Sequence, residues 1–298
     1  MTSRYLHPMM LARLASMSLR ARNVVEGFLA GRHQSPYKGV SLDFAEHRQY
    51  VPGDELKRLD WKVFGRTDRW YIKQYEDETN LRCYLVVDTS ASMGYASAGN
   101  LTKLEYASYL TAALAYLIIR QRDRAGLVTF SSQVDGHIPP AGTQEHLKTI
   151  LDKLDSITPA GTTDIRVSLT EFGRIIKRRG LIVFISDLFD DPGAVLRVLA
   201  NFTFRRNEVI LFHLLDPAET DLPFSGTLQF EGMELRDRLT VQPELIRKSY
   251  RHIISDFVEQ YKQSCRMAGI DYVLLTTDVP LEEGLTQYLF RRRRIKNR

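Results

Sequence analysis

The sequence YLVVDTSASM at residues 84–93 joins an apolar strand to a turn that is rich in oxygen-bearing side chains. Its apolar half is consistent with a buried strand. The turn has the form Asp-x-Ser-x-Ser and offers the carboxylate of Asp88 and the hydroxyls of Ser90 and Ser92. Because Mg²⁺ and Mn²⁺ are hard cations that prefer oxygen ligands in near-octahedral geometry, this turn is a candidate metal site. A plain helix-capping turn is the alternative interpretation of the same residues.

Two further loops carry similar chemistry. A second apolar run, residues 181–185, ends in Ser186 and Asp187, so that another carboxylate follows a buried strand. Between the two strands, residues 159–164 (PAGTTD) form a turn with hydroxyls just before a helical pattern starts at Ile165. Since open α/β sheets bind ligands at the carboxyl ends of their strands, we expect the three loops to meet at one point.

Strand and helix signals alternate from Leu81 almost to the end of the chain. They predict helices at residues 103–122, 144–154, 165–178 and 243–267, with one more that begins at Asp191. Besides the two apolar runs they predict strands at residues 126–130, 134–138, 209–215 and 272–276, and a small hairpin insertion at residues 222–241. This order predicts an α/β fold with a doubly wound, mostly parallel sheet over residues 81–290.

Five side chains resemble, in their order, the metal-ion-dependent adhesion site of von Willebrand factor type A domains: Asp88, Ser90, Ser92, Thr163 and Asp187. The resemblance implies the Rossmann-like fold of those domains. It also implies that the serines and the threonine bind Mg²⁺ or Mn²⁺ directly, while both aspartates act largely through water. A metal with few direct carboxylate ligands stays electrophilic. We therefore expect a partner protein to donate a Glu or Asp side chain to the metal.

The threonine of this set has two candidates, because the chain has Gly161-Thr162-Thr163 where the family usually has Gly-Gly-Thr. Thr163 lies six residues before Leu169, which matches the family's spacing and favours Thr163 over Thr162. Leu188 follows Asp187 where many relatives have glycine, and we expect its bulk to narrow the approach to the metal.

Length and composition are those of a globular protein. With 298 residues, of which 44% are hydrophobic, the chain can bury a large core and has room for a second, smaller element. The longest apolar stretch, residues 107–119, is too short to span a bilayer, and arginines interrupt the apolar positions near the amino end where a signal would lie. We therefore expect a cytoplasmic protein, with Cys83 and Cys265 as buried, reduced thiols.

The formal net charge of +5 conceals an uneven distribution. Residues 1–40 carry +5 and the basic tail at residues 291–298 carries +6, so that residues 41–290 carry −6. Because the basic excess lies at two ends rather than along one face, we do not expect nucleic acid as a partner. The tail is predicted to be a solvated end, with a polyanion-binding arm as the alternative.

The first 80 residues do not follow the alternation and predict a separate, small helix-plus-β element. Residues 9–30 have the pattern of a helix that docks on the main domain, with a membrane-surface helix as the alternative. Residues 44–66 follow, with a Pro-Gly turn set among alternating acids and arginines. We expect Trp61 and Trp70 to be core residues.

This segment resembles the bacterial domain-of-unknown-function 58 family through Arg48, Tyr50, Pro52-Gly53-Asp54, Arg58, Asp60-Trp61 and Arg66, followed by the Asp-x-Ser-x-Ser turn. The resemblance covers residues 35–290. It implies that the protein acts together with a MoxR-type AAA+ ATPase, and such ATPases are thought to act as chaperone-like machines with von Willebrand type A partners. It thus implies an adaptor or co-chaperone that binds proteins through a divalent metal. The cluster of arginines and aspartates has two interpretations: ion pairs that join the small element to the large one, or a partner-binding surface.

Catalysis is the alternative function. The chain lacks a Gly-x-x-x-x-Gly-Lys phosphate loop, a Gly-x-Ser-x-Gly elbow and a His-Glu-x-x-His helix. A Mg²⁺-dependent hydrolase or phosphoryl-transfer enzyme could use the same metal, but it needs a base beside the open coordination position. The sequence places neither Asp190 nor Asp191 there.

Overall fold

A computed structural model describes residues 42–51, 59–77, 81–235, 237–281 and 283–285. These residues belong to two units, one within Arg32–Asn80 and one that continues from Leu81. Three of the predicted features lie outside the described residues: the helix at residues 9–30, the Pro-Gly turn with Arg58, and the basic tail at residues 291–298.

The smaller unit contains an antiparallel strand pair and a short helix. Strand β1 (Leu42–Gln49) pairs with β2 (Tyr71–Asp77), and helix α1 (Trp61–Thr67) lies between them in sequence. The helix begins after Asp60 because the Asp60 carboxylate caps it, accepting the backbone N–H of Lys62 at 2.9 Å. Asp60 of the family motif is therefore a helix cap.

Three aromatic rings of the smaller unit gather at its surface. The ring centroids of Phe64 and Trp70 are 4.4 Å apart, and that of Trp61 lies 6.1 Å from Trp70. Trp61 is 63% exposed and Trp70 is 45% exposed, so the prediction that both are core residues is wrong. Because α1 contributes no buried residue, the rings shield one another instead of entering an interior.

The larger unit alternates strands and helices. In chain order its elements are β3 (Arg82–Asp88), a 3₁₀ turn (Ala91–Gly94), α2 (Lys103–Arg120), β4 (Arg124–Phe130), β5 (Val134–Ala141), α3 (Gln144–Ser156), α4 (Ile165–Ile175), β6 (Leu181–Ser186), α5 (Pro192–Phe204), β7 (Glu208–Leu215), α6 (Pro217–Asp221), β8 (Leu228–Glu231), β9 (Arg238–Val241), α7 (Pro243–Met267) and β10 (Asp271–Thr276).

Six of these strands form one sheet in the order β10-β7-β6-β3-β4-β5. Neighbouring strands are parallel except at one edge, where β5 runs antiparallel to β4. Strand β3 lies between β6 and β4, and its residues are buried from Cys83 to Asp88. A strand buried on both faces needs apolar residues on both, which explains why residues 84–87 show no alternation.

Helices cover both faces of this sheet. Leu85 and Val87 of β3 pack in one core cluster with residues of α2 and α3, while Tyr84 and Val86 pack in a second cluster with residues of α4, α5 and α7. Burial of these two apolar layers drives the helices onto opposite faces. The predicted α/β fold with a doubly wound, mostly parallel sheet is confirmed.

The predicted elements of the larger unit agree with the observed ones to within a few residues at their ends. The helix predicted at residues 243–267 coincides with α7, and the predicted hairpin insertion contains β8 and β9. Helix α6 is absent from the predictions. It begins at Pro217 after Asp216, whose carboxylate accepts the backbone N–H of Ala218 at 2.8 Å.

The two cysteines and the apolar character of the helices were also considered in the sequence analysis. Cys83 and Cys265 are buried free thiols, as predicted. Among the described residues, no helix combines the length and the apolar character that crossing a bilayer requires.

Candidate metal centre

The Asp-x-Ser-x-Ser turn and the threonine loop lie side by side above the sheet. The backbone N–H of Ala91 donates to the carbonyl oxygen of Gly161 at 3.0 Å, and the backbone N–H of Ala160 donates to the carbonyl oxygen of Thr89 at 3.0 Å. These two reciprocal backbone hydrogen bonds hold the two loops next to each other.

The loop after β6 joins the same group. The Ser186 hydroxyl donates to Asp88 Oδ2 at 2.7 Å, which links it to the first loop. Asp190 Oδ2 accepts the backbone N–H of Ile165 at 3.0 Å, which links it to the threonine loop. The three loops therefore meet at the carboxyl ends of β3 and β6, as the spacing of the motifs predicts.

Asp88 and Asp187 are the two fully buried acids of this group. Asp88 Oδ1 accepts the backbone N–H of Ser90 at 2.9 Å. Burial, and next the negative charge of Asp187, raise the pKa of Asp88 to about 7. Two buried carboxylates thus oppose each other, an arrangement that a bound cation would relieve.

The serine hydroxyls have a spacing that fits a metal. Ser90 Oγ and Ser92 Oγ are 3.0 Å apart and share a hydrogen bond. Two oxygens on adjacent vertices of a Mg²⁺ octahedron, each about 2.1 Å from the ion, are also separated by about 3.0 Å. The pair can therefore exchange its hydrogen bond for two metal bonds without moving apart.

Lys103 is a member of the site that the sequence analysis missed. Its ammonium donates to Asp187 Oδ2 at 2.7 Å and to Glu219 Oε1 at 2.5 Å, and it lies 5.1 Å from the ring centre of Phe189. Within the described ranges this ammonium donates to those two carboxylates and to neither serine hydroxyl. Burial alone would lower the pKa of Lys103, but Asp187 and Glu219 outweigh it and hold that pKa above its usual value.

A sequence signal for this ion pair does exist. Lys103 is the first residue of α2, where the positive end of the helix dipole disfavours a cation. A buried lysine at that position needs carboxylate partners, although the sequence does not say which ones.

The charges of the site leave room for one divalent cation. Asp88, Asp187 and Glu219 are carboxylates and Lys103 is an ammonium, so the formal sum of these four groups, without Glu234 beside Thr163, is −2, and one Mg²⁺ or Mn²⁺ has the opposite charge. Within the described residues, no group of three His, Cys, Asp or Glu side chains is placed to hold a metal by itself. A metal at this site would therefore need hydroxyl ligands beside the carboxylates, and the predicted donor set stays a prediction.

His213 holds the loop of Asp187 in place. Its Nε2 lies 2.9 Å from the carbonyl oxygen of Asp187, and its Nδ1 lies 2.7 Å from the hydroxyl of Tyr272. Burial lowers the pKa of His213 to about 4, although the nearby Asp187 opposes this shift. The ring is therefore neutral, and since a carbonyl only accepts, Nε2 carries the proton and Nδ1 accepts from Tyr272.

The two threonine candidates differ in placement. Thr162 is exposed, whereas Thr163 is partly buried and bonded on both its hydroxyl and its backbone N–H to Glu234, at 2.7 and 2.9 Å. Glu234 lies between β8 and β9, in the hairpin insertion, and it too was missed by the sequence analysis. Thr163 is the less exposed of the two threonines, and its role as a metal ligand stays a prediction.

Leu188 does not narrow the approach as expected. Its side chain is fully buried in the core cluster that contains Phe184, and its backbone adopts a φ of 59°. This left-handed conformation, which glycine adopts most easily, turns the leucine down into the core. The next residue, Phe189, is 41% exposed instead.

This fold, with a carboxylate and hydroxyl turn after its central strand, defines a von Willebrand factor type A-like domain. Similar solved structures include BatB from Bacteroides thetaiotaomicron, with 16% identity, a TM-score of 0.49, and coverage of 72% of this chain and 99% of that chain. Another is the vWF domain of the type V pili tip protein Mfa5 from Porphyromonas gingivalis, with 12% identity, a TM-score of 0.38, and coverage of 72% and 94%.

The chain belongs to the family described as Protein of unknown function DUF58, whose family model matches residues 46–263. The predicted family is therefore confirmed. An uncharacterized protein of Mycobacterium tuberculosis is 27% identical over 292 residues, which cover 96% of this chain and 91% of that protein.

Proposed function

We propose that this protein is a divalent-metal-dependent interaction module in which Asp88, Ser90, Ser92, Thr163 and Asp187 hold Mg²⁺ or Mn²⁺. The observation that carries the proposal is the pair of serine hydroxyls, 3.0 Å apart, above two opposed and buried aspartates. Fully buried carboxylates are costly unless a cation or hydrogen bonds compensate them. Lys103 compensates part of this charge, and a metal would compensate the rest.

The residues of the chain have separate tasks in this proposal. The hydroxyls of Ser90, Ser92 and Thr163 would contact the ion, while Asp88 and Asp187 would hold its water ligands. Lys103 keeps Asp187 in position and limits the negative charge of the site. When bound, the ion would supply a positive acceptor for a carboxylate of another protein.

The proposed partner is a MoxR-type AAA+ ATPase, which the protein would serve as an adaptor or co-chaperone. Membership of the family supports this choice. A client or the ATPase itself would donate the Glu or Asp side chain, and the loops of Thr163 and Asp187 would adjust to it.

Calorimetric titration with MnCl₂ and MgCl₂ tests the metal site. The Ser92→Ala variant should lose most of the binding, because it removes one partly buried hydroxyl and leaves the core intact. Ser156→Ala is the matched control, since Ser156 is an exposed serine at the end of α3. Mn²⁺ binding that is equal in both variants would refute the site.

A pull-down with the cognate MoxR-type ATPase, with and without EDTA, tests the partner. Association that EDTA abolishes and that Asp88→Ala also abolishes supports the proposal, provided that circular dichroism shows the variant to be folded. Association that resists EDTA would place the interface elsewhere, with the Arg48 to Arg66 segment as the next candidate.

A further inference from the structure

Glu234 accepts two hydrogen bonds from Thr163, one of the proposed metal ligands. We infer that the loop between β8 and β9 is an internal ligand of the candidate metal centre, which must release Thr163 before another protein can bind. The inference rests on the proposed function. It adds a gate, by which we mean the release of Thr163 by Glu234, that neither the family nor the fold assigns.

The contact between Glu234 and Thr163 uses both carboxylate oxygens. The Thr163 hydroxyl donates to Oε1 at 2.7 Å, and the Thr163 backbone N–H donates to Oε2 at 2.9 Å. Two charge-assisted hydrogen bonds to one residue fix the carboxylate in a single orientation. Because the hydroxyl donates its hydrogen to Glu234, its lone pairs stay available to a metal.

The acid of this loop is less exposed than the two apolar residues beside it. Glu234 is partly buried, whereas its neighbours Met233 and Leu235 are 47% and 72% exposed. Exposed apolar side chains are common on protein surfaces, so the informative residue here is the partly buried acid. The loop presents an acid to the site and leaves apolar surface beside it.

The loop also reaches the Asp-x-Ser-x-Ser turn. A β-carbon built at Gly94, the last residue of the 3₁₀ turn, would lie 3.5 Å from the Met233 methyl and 2.9 Å from a ring carbon of Pro159. Met233 thus lies where the first loop and the threonine loop adjoin. The segment covers the junction of two of the three loops of the site.

The hairpin that carries Glu234 is short and is held by few contacts. Strands β8 and β9 have four residues each and form a sheet of their own. A pair of short strands is marginally stable by itself, so the closed state depends on a few contacts: the two bonds to Thr163 and the packing of the Phe230 ring against Phe224, with 5.7 Å between the ring centroids. A partner's acid that reached the site with the loop closed would meet a like charge, and binding therefore requires Glu234 to leave.

The internal acid also indicates the chemistry of the partner. The sequence around it is Met233-Glu234-Leu235, an acid between two apolar residues on a turn. A segment that replaces it would carry an acidic residue in a similar apolar setting.

The experiment compares Glu234→Ala with Glu231→Ala. Glu231 belongs to the same hairpin and is exposed, and its partner is Arg238 at 3.4 Å, so its loss removes the same charge without touching Thr163. The probe is a labelled synthetic peptide with the sequence of residues 230–238, FEGMELRDR. Its matched control carries Gln in place of the second Glu.

Three measurements are made on the wild type and both variants: Mn²⁺ binding by calorimetry, peptide binding by fluorescence anisotropy in MnCl₂ or EDTA, and hydrogen exchange of residues 160–165 without metal. Glu234→Ala should bind the peptide at least about tenfold more tightly than the wild type in MnCl₂, because an internal ligand competes at an effective concentration on the order of 1 mM. It should also lose exchange protection at the Thr163 amide, while Glu231→Ala behaves as the wild type.

The outcomes separate the two proposals. If Mn²⁺ binds but the peptide binds equally to Glu234→Ala and Glu231→Ala, the gate is refuted and the metal site stands. Unchanged exchange at Thr163 in Glu234→Ala also refutes the gate. If no protein binds Mn²⁺, the metal site itself is refuted, and the gate with it.

Discussion

Replacement of Lys103 by methionine tests how the site balances its charges. The Lys103 side chain is 0% exposed, and those of its partners Asp187 and Glu219 are 1% and 16% exposed. Methionine retains most of the apolar stem, so the main loss is the ammonium. Removal of one partner from a buried ion pair costs about 3–5 kcal/mol, because the remaining charge stays buried and uncompensated. We expect the free energy of unfolding to fall by about that amount.

Urea denaturation followed by circular dichroism measures this change, with Lys148→Met as the control. Lys148 is an exposed lysine of α3, and its replacement should alter the free energy of unfolding by less than about 0.5 kcal/mol. The double variant Lys103→Met/Glu219→Gln neutralises one of the two orphaned carboxylates. It should recover part of the loss, with a coupling of about 0.5–3 kcal/mol.

MnCl₂ provides a second readout of the same perturbation. Without the ammonium, Asp88, Asp187 and Glu219 carry a formal charge of −3 instead of a sum of −2, so Mn²⁺ should stabilise Lys103→Met more than it stabilises the wild type. An unfolding free energy of Lys103→Met within about 1 kcal/mol of the wild type would refute the reasoning, since it would mean that water or relaxation compensates the carboxylates.

Two further predictions concern the core. Gly180→Ala should destabilise the protein by about 1–3 kcal/mol, because a β-carbon there would overlap the backbone carbonyl of Arg82. Gly65→Ala is the control and should not destabilise the protein, because the space around Gly65 is open. Thermal unfolding of both variants measures the difference. Cys83 and Cys265 should not react with a thiol reagent in the native protein at pH 8 and should both react in denaturant, because burial raises the pKa of both thiols, that of Cys265 to about 12. Rapid labelling of the native protein would contradict the burial of these residues.

The order of strands and helices could be predicted because its signals are local. Residues 84–87 and 181–185 are apolar without alternation, a pattern that a strand covered on both faces requires. The helix at residues 243–267 repeats its apolar positions with the helical period, and its bounds agree with α7. Such patterns depend on residues a few positions apart, and a sequence displays them directly.

The predictions that failed depend on distant surroundings. Trp61 and Trp70 are large and apolar, but whether they are buried depends on what the rest of the chain places over them. Leu188 follows Asp187, a predicted metal-site residue, yet its positive φ directs its side chain into the core. Neither result has a signal in the neighbouring residues.

The sequence alone determined the fold of this protein and the loops that meet at its candidate site, because apolar periodicity selects the elements and parallel strands bring their carboxyl ends to one edge. Only the tertiary structure decided which charges meet there. Lys103 lies 84 positions from Asp187 and 116 from Glu219, and Thr163 lies 71 from Glu234. Coulomb attraction acts through space and leaves no period along the chain, so these pairings become visible only once the chain has folded.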